Sequence, residues 1–258
     1  MGINKIYNED CIATMCNNID LGSVDIILTS PPYNTCRSNG SLKTYASRYE
    51  EYSDTMSNDE YISWTLRLFD GFNKILKPNG VVLYNISYGS ENNETLWRLI
   101  AEVINSTNFT VADCIIWKKR NALVNNTSPQ HLTRICEFVF VFCRKSEYNS
   151  YTTNKPVSSV RTNGQVMYGN VPNFIEAANN DGPVDFHKAT YSTELCRKLL
   201  QIYGKEGMLV YDPFIGTGTT ALACIEENMS FIGSEISQKY TDYANKRISN
   251  KLSQPKLF

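Results

Sequence analysis

The chain has 258 residues, 42% hydrophobic, 12% aromatic and 20% charged. At about 150 residues per domain this is one large domain or two modest ones, and the composition excludes a disordered, collagen-like or coiled-coil chain. With 25 basic against 26 acidic residues and a net charge of -1, bulk positive charge does not drive nucleic-acid binding, although a single basic face remains open.

Taken in order, the chain alternates short apolar runs with helical stripes. The N-terminus, MGINKIYNED, has no apolar signal core, and no run approaches the roughly 18 apolar residues of a membrane span. The cytoplasm, beside the nucleoid, is therefore the expected location. Residues 3–7 and 24–28 (VDIIL) read as strands, and 24–28 leads into Thr29-Ser30-Pro31-Pro32-Tyr33-Asn34. Residues 35–57 are polar and rich in Tyr and Ser. Ile62, Leu66, Phe69, Phe72 and Leu76 step by three or four, which predicts a helix ending at the turn Lys77-Pro78-Asn79-Gly80. A strand at 81–86, a helix over Leu96–Ile104 and a strand at 136–143 follow. Residues 146–185 show no period and read as irregular. Leu195, Leu199 and Ile202 mark a helix before Gly204, residues 208–211 a strand, and 230–234 another, with a last helical stripe at Tyr240, Ala244 and Ile248. Strand–helix alternation implies an α/β fold with a largely parallel sheet.

The eight cysteines form no Cys-x-x-Cys pair and read as reduced thiols, several of them in apolar runs. The two histidines, His131 and His187, are far apart, so no metal site is expected.

Two segments carry chemistry. In the first, the strand at 208–211 runs into Asp212, then Gly216-x-Gly218, then a helix opening at about Thr219. Glycine suits a tight turn, and the helix N-terminus offers free N–H groups. Glu235, after the next strand, stands where nucleotide folds set a carboxylate against ribose hydroxyls. A bland tight turn and a dinucleotide site are the rivals. The dinucleotide reading is weakened because only one helical pattern follows Glu235, so the remaining strands must come from the N-terminal half. The order is permuted, with residues 3–7 beside the last strand.

The second segment is Ser30-Pro31-Pro32-Tyr33. Two prolines stiffen the turn and aim its carbonyls. The exocyclic amine of cytosine or adenine is a poor nucleophile because its lone pair is delocalised. A hydroxyl and a carbonyl accepting its N–H bonds would localise that pair, and a tyrosine ring would hold the base flat. The base must be flipped out of the duplex to reach them.

With both segments the chain resembles the amino-methylating DNA methyltransferases, in the motif order that runs catalytic segment first and cofactor segment last. Over most of its length TSPPYN resembles their catalytic motif, DPFIGTG their cofactor motif, and Asp10-Cys11 their N-terminal adenine contact. The stretch His187-Lys188-Ala189-Thr190-Tyr191 resembles their motif X, from which Lys188 and Ser192 depart. The resemblance implies S-adenosylmethionine as cofactor, held by Asp10, Cys11, Thr29, Asp212, Pro213, Phe214, Gly216, Gly218, Thr219 and Glu235. It implies catalysis by Ser30, Pro31, Pro32 and Tyr33. The fold implied is a circularly permuted Rossmann-like methyltransferase sheet, mostly parallel, with a small target-recognition insert. Residues 1–145 and 186–258 are then the two parts of the catalytic domain, and 146–185 the insert. The implied substrate is double-stranded DNA, with Lys118, Lys119, Arg120 and Arg134 as candidate phosphate contacts. A cognate restriction endonuclease and a homodimer are compatible with it.

In that family Ser before Pro-Pro-Tyr goes mostly with cytosine N4, and Asp or Asn with adenine N6. Cytosine N4 is the expectation and adenine N6 the alternative. Cytosine C5 methylation needs an attacking thiolate, typically a Cys after Pro, and no Pro-Cys pair occurs. A non-catalytic nucleotide- or DNA-binding module, and an enzyme acting on RNA or protein amines, stay open.

Overall fold

A computed structural model describes residues 1–34, 56–89, 92–124, 126–182 and 191–254. Most of the polar 35–57 segment and the run His187–Thr190 lie outside the described residues. The elements are β1 (Lys5–Tyr7), α1 (Cys11–Asn17), β2 (Val24–Thr29), α2 (Asn58–Ile75), β3 (Leu76–Ile86), α3 (Thr95–Ser106), β4 (Phe109–Lys119), β5 (Cys136–Arg144), β6 (Val157–Val160), β7 (Val166–Tyr168), β8 (Phe174–Ala177), α4 (Thr193–Tyr203), β9 (Leu209–Asp212), α5 (Thr219–Glu226), β10 (Ser230–Ser234) and α6 (Gln238–Leu252).

Eight strands form one sheet in the order β1-β10-β9-β2-β3-β5-β4-β8. The first five are mutually parallel, β5 runs antiparallel to both neighbours, and β8 lies parallel to β4. This is the α/β, mostly parallel, permuted sheet that the sequence implies. The expected pairing of the N-terminal strand is also present, with Ile6 opposite Gly233.

Side chains alternate across the sheet. Ile26 and Leu28 of β2 join a core with α4, α5 and α6, whereas Val24 and Ile27 join one with α1, α2 and α3. Among the described residues three helices thus cover each face.

Local chemistry sets the helix ends. Ser57 and Glu60 form a reciprocal capping box at the start of α2. Asp10 caps α1 at Ile12 N, 2.8 Å away. Ser192, the departure from motif X, accepts from Leu195 N and caps α4.

Three expectations need correction. The turn at 77–80 does not separate α2 from β3. Leu76 already pairs with Val24, the ladder resumes at Val81 opposite Ile26, and Asn79 sits in the left-handed region between them. Arg144 replaces a glycine cap there, donating to the carbonyls of Asn73, Leu76 and Lys77. Second, β4, which the sequence reading omits, is among the two longest strands described. Third, 146–185 is not wholly irregular: β6 and β7 form a solvent-exposed hairpin, and β8 is an edge strand of the main sheet.

Candidate active site

The chain from β9 passes through α5 to β10 on one side, and the chain from β2 passes through α2 to β3 on the other. The connections diverge between β9 and β2, so a crevice opens at the carboxyl edge there. Thr29 Oγ1 donates across it to Asp212 Oδ1 at 2.8 Å.

Asp212 is fully buried and accepts three more hydrogen bonds. They come from Phe214 N (3.0 Å), Thr220 Oγ1 (2.5 Å) and the Tyr191 hydroxyl (3.1 Å). Burial pushes its carboxyl above the usual range while these donors pull it back. Burial keeps the Tyr191 phenol protonated, so it stays a donor, and it also bonds Thr220. Asp212 and Thr29 therefore knit β2, β9, α5 and Tyr191, just before α4, together.

Gly216 and Gly218 both take positive φ, 51° and 87°. The close approach that Gly218 permits is to α6: a Cβ there would lie 3.0 Å from the Ala244 Cβ. Thr219 and Pro213 are buried beside it. Glu235, at the end of β10, accepts from Gly216 N (3.1 Å) and Ser237 N (2.9 Å). Burial pushes its carboxyl up to about 7 against those two donors. Asn8 reaches across to the Glu235 carbonyl at 2.9 Å, which brings Asp10 and the buried Cys11 to the same edge. The half-buried Phe214 ring faces Trp64 of α2, centroids 5.5 Å apart. Trp64 was hidden in sequence within an ordinary helical stripe.

On the other flank lies the Ser-Pro-Pro-Tyr turn. Its Pro32 carbonyl is taken by the buried Tyr61 hydroxyl at 2.5 Å, which anchors the turn to α2. Asn34 closes it in the left-handed region, and Asn92 donates to its carbonyl. Ser30 Oγ and Tyr33 Oη are 3.0 Å apart. Tyr33 donates to Glu137 Oε2 at 2.9 Å, and Asn85 Nδ2 lies 3.2, 2.6 and 3.0 Å from Ser30 Oγ, Tyr33 Oη and Glu137 Oε2. The sequence reading misses both Asn85 and Glu137. The available signal is a polar residue in each of two apolar strands, YNI and CEFVFVFC.

The basic cluster is already engaged within the protein. Lys118 pairs with Glu176 at 2.8 Å, Lys119 with Glu137, and Arg120 with Glu194 at 2.7 Å. The Arg134 guanidinium lies 4.9 Å from the Tyr88 ring centroid. Among the described residues no cluster of His, Cys, Asp or Glu is fit to hold a metal ion, and no helix is long and apolar enough to cross a membrane.

The chain is similar to known proteins over most of its length. It is 24% identical to the type II methyltransferase M.BglII of Bacillus subtilis, covering 96% of this chain and 70% of that one. It is 26% identical to the type II methyltransferase M.HinfI of Haemophilus influenzae, covering 95% and 68%. Its fold matches the PvuII DNA methyltransferase (cytosine-N4-specific) with a TM-score of 0.69 at 17% identity, over 100% of this chain and 89% of that one. It also matches an M1.HpyAVI–SAM complex with a TM-score of 0.62 at 23% identity, over 94% and 98%. The DNA methylase family model matches residues 24–246, from the first residue of β2 into α6, and the chain belongs to that family.

Proposed function

We propose that the protein transfers a methyl group from S-adenosylmethionine to the N4 amine of a cytosine flipped out of duplex DNA. The observation that carries this reading is the Ser30–Tyr33 turn held rigidly beside the Thr29–Asp212 crevice. The groups gathered there fit the cofactor. Glu235, with lone pairs beyond its two backbone donors, would hold the ribose hydroxyls, Phe214 would offer a ring face to the sulfonium, and Asp10-Cys11 would contact the adenine. When bound, S-adenosylmethionine supplies an electrophilic methyl group.

The protein's own residues prepare the nucleophile. Tyr61 occupies the Pro32 carbonyl, so the Pro31 carbonyl and Ser30 Oγ accept from the amine. Their pull localises the nitrogen lone pair, and the Tyr33 ring holds the base flat. The choice of cytosine rests on Ser30, and the PvuII enzyme of like fold is named cytosine-N4-specific. Adenine N6 is the alternative, since either acceptor set holds an amino group. Within 146–185, the exposed β6–β7 hairpin is the part available for reading DNA sequence.

Ser30→Ala removes one acceptor from a half-buried site and should slow methylation by about 30- to 1000-fold, equivalent to about 2–4 kcal/mol. Tyr33→Ala should lose about 1–3 kcal/mol of base stacking. Cofactor affinity, read by calorimetry, should stay constant in both. Mass spectrometry of digested substrate DNA identifies the base. N6-methyladenine alone would transfer the reading to adenine, and 5-methylcytosine would overturn the chemistry.

A further inference from the structure

We propose that Glu137 is the terminal acceptor of a proton relay that runs from the target amine through Ser30 and Tyr33. This rests on the amine-methylation reading above.

Hydrogen-bond valence fixes the direction of the relay. Glu137 is ion-paired with Lys119, so its carboxylate only accepts. The single Tyr33 proton therefore goes to Glu137 Oε2, 2.9 Å away. The Asn85 amide must also turn its NH2 toward Glu137, at 3.0 Å, because its oxygen would meet another acceptor. Tyr33 Oη is then left as an acceptor, and the 3.0 Å contact with Ser30 resolves with Ser30 as donor. Ser30 has no proton left to point outward. The second Asn85 hydrogen lies between Tyr33 Oη at 2.6 Å and Ser30 Oγ at 3.2 Å, so Ser30 Oγ keeps at least one lone pair for the base. The carboxylate thus makes Ser30 an acceptor toward an exocyclic amine, although a serine hydroxyl otherwise rotates to suit either role.

The same three bonds carry the proton that the reaction must shed. When the amine nitrogen bonds to the methyl carbon, the carbon–sulfur bond breaks and its electron pair leaves with sulfur. In the same step the nitrogen sheds the hydrogen it can no longer hold. That proton passes to Ser30 Oγ as the Ser30 proton moves to Tyr33 Oη and the Tyr33 proton moves to Glu137. One proton enters the chain and one arrives, so Ser30 and Tyr33 end as they began and Glu137 ends neutral. The Glu137 side chain is 12% exposed, enough to return the proton to water. Lys119 serves as counter-ion to Glu137, a different task from the phosphate contact that its sequence suggests.

The test is single-turnover methyl transfer to duplex DNA by the full chain, in water and in deuterium oxide. Glu137→Gln and Tyr33→Phe should each slow transfer by about 100-fold, as loss of a positioned proton acceptor does. The double variant should be no slower than the slower single one, because each breaks the same chain. Affinities for DNA and for S-adenosylmethionine, measured by calorimetry, should not change. The wild-type rate should show a curved proton inventory that becomes linear in Tyr33→Phe. If Glu137→Gln slows Tyr33→Phe by the same factor as wild type, Glu137 is only a structural support and the relay is overturned. If Glu137→Gln does not fold, the wild-type inventory decides alone, and a linear one overturns the relay. A wild-type protein that binds cofactor but leaves DNA unmethylated overturns the functional reading itself, and the relay with it.

Discussion

Glu235 combines burial with two backbone donors, and the balance pushes its carboxyl up to about 7. Hydroxyl donors of a bound ribose favour the ionised form, so affinity should rise with pH. With half-ionisation at about 7, the ionised fraction grows about tenfold between pH 6 and pH 8, and cofactor affinity should grow with it. Calorimetry at the two pH values checks this, and Glu235→Gln should bind weakly and without that slope. Glu235 was legible in sequence because its strand ends there, 23 positions past Asp212. Glu137 was not, since a carboxylate opening an apolar strand looks like an exposed end until Tyr33 and Lys119 are seen to converge on it. Asp212 was legible as part of the site, but not its four hydrogen bonds, which come from residues up to 183 positions away.

The strands that were easiest to anticipate, β2, β5 and β10, bury most of their length and so read as apolar runs. The strand missed, β4, shifts register between Val111 and Asp113, and that irregularity erases the alternation a strand normally shows. The hairpin β6–β7 packs against no core, so nothing selects a hydrophobic pattern in VSSV. Apolar stripes mark helix faces while caps mark helix ends, so stripes alone locate the starts of α2, α4 and α6 only to within a few residues. At the start of α5, Gly218 combines a left-handed φ of 87° with the 3.0 Å approach to Ala244. Gly218→Ala should lower stability by about 1–2 kcal/mol from the backbone conformation alone, more with the contact to α6. The measurement is the melting temperature of the protein without cofactor. An unchanged value would show that α5 and α6 adjust freely.

Taken whole, the molecule has an edge strand inside the segment assigned to target recognition. Lys118 and Glu176 face each other across β4 and β8, so residues 174–177 belong mechanically to the sheet. Exchanging residues 155–170 for the matching segment of a relative should therefore keep the melting temperature and change which DNA sites are methylated. An exchange that also replaces β8 should destabilise the protein. Methylation mapping of DNA from expressing cells reads the first outcome, and thermal unfolding the second. Unchanged site preference after the hairpin exchange would move recognition to another surface. The hydrogen bond between Thr29 and Asp212 carries a further consequence, for the order of assembly. It joins the centre of the sheet across 183 positions of chain. At synthesis rates of about 5–20 residues per second, β2 waits about 10–40 s for β9 to emerge. During that time one edge of an apolar strand, with Ile26, Ile27 and Leu28 all destined for burial, has no partner. The crevice that holds the chemistry is thus among the last parts of the molecule to close, and the nascent chain is most prone to association just before it becomes an enzyme.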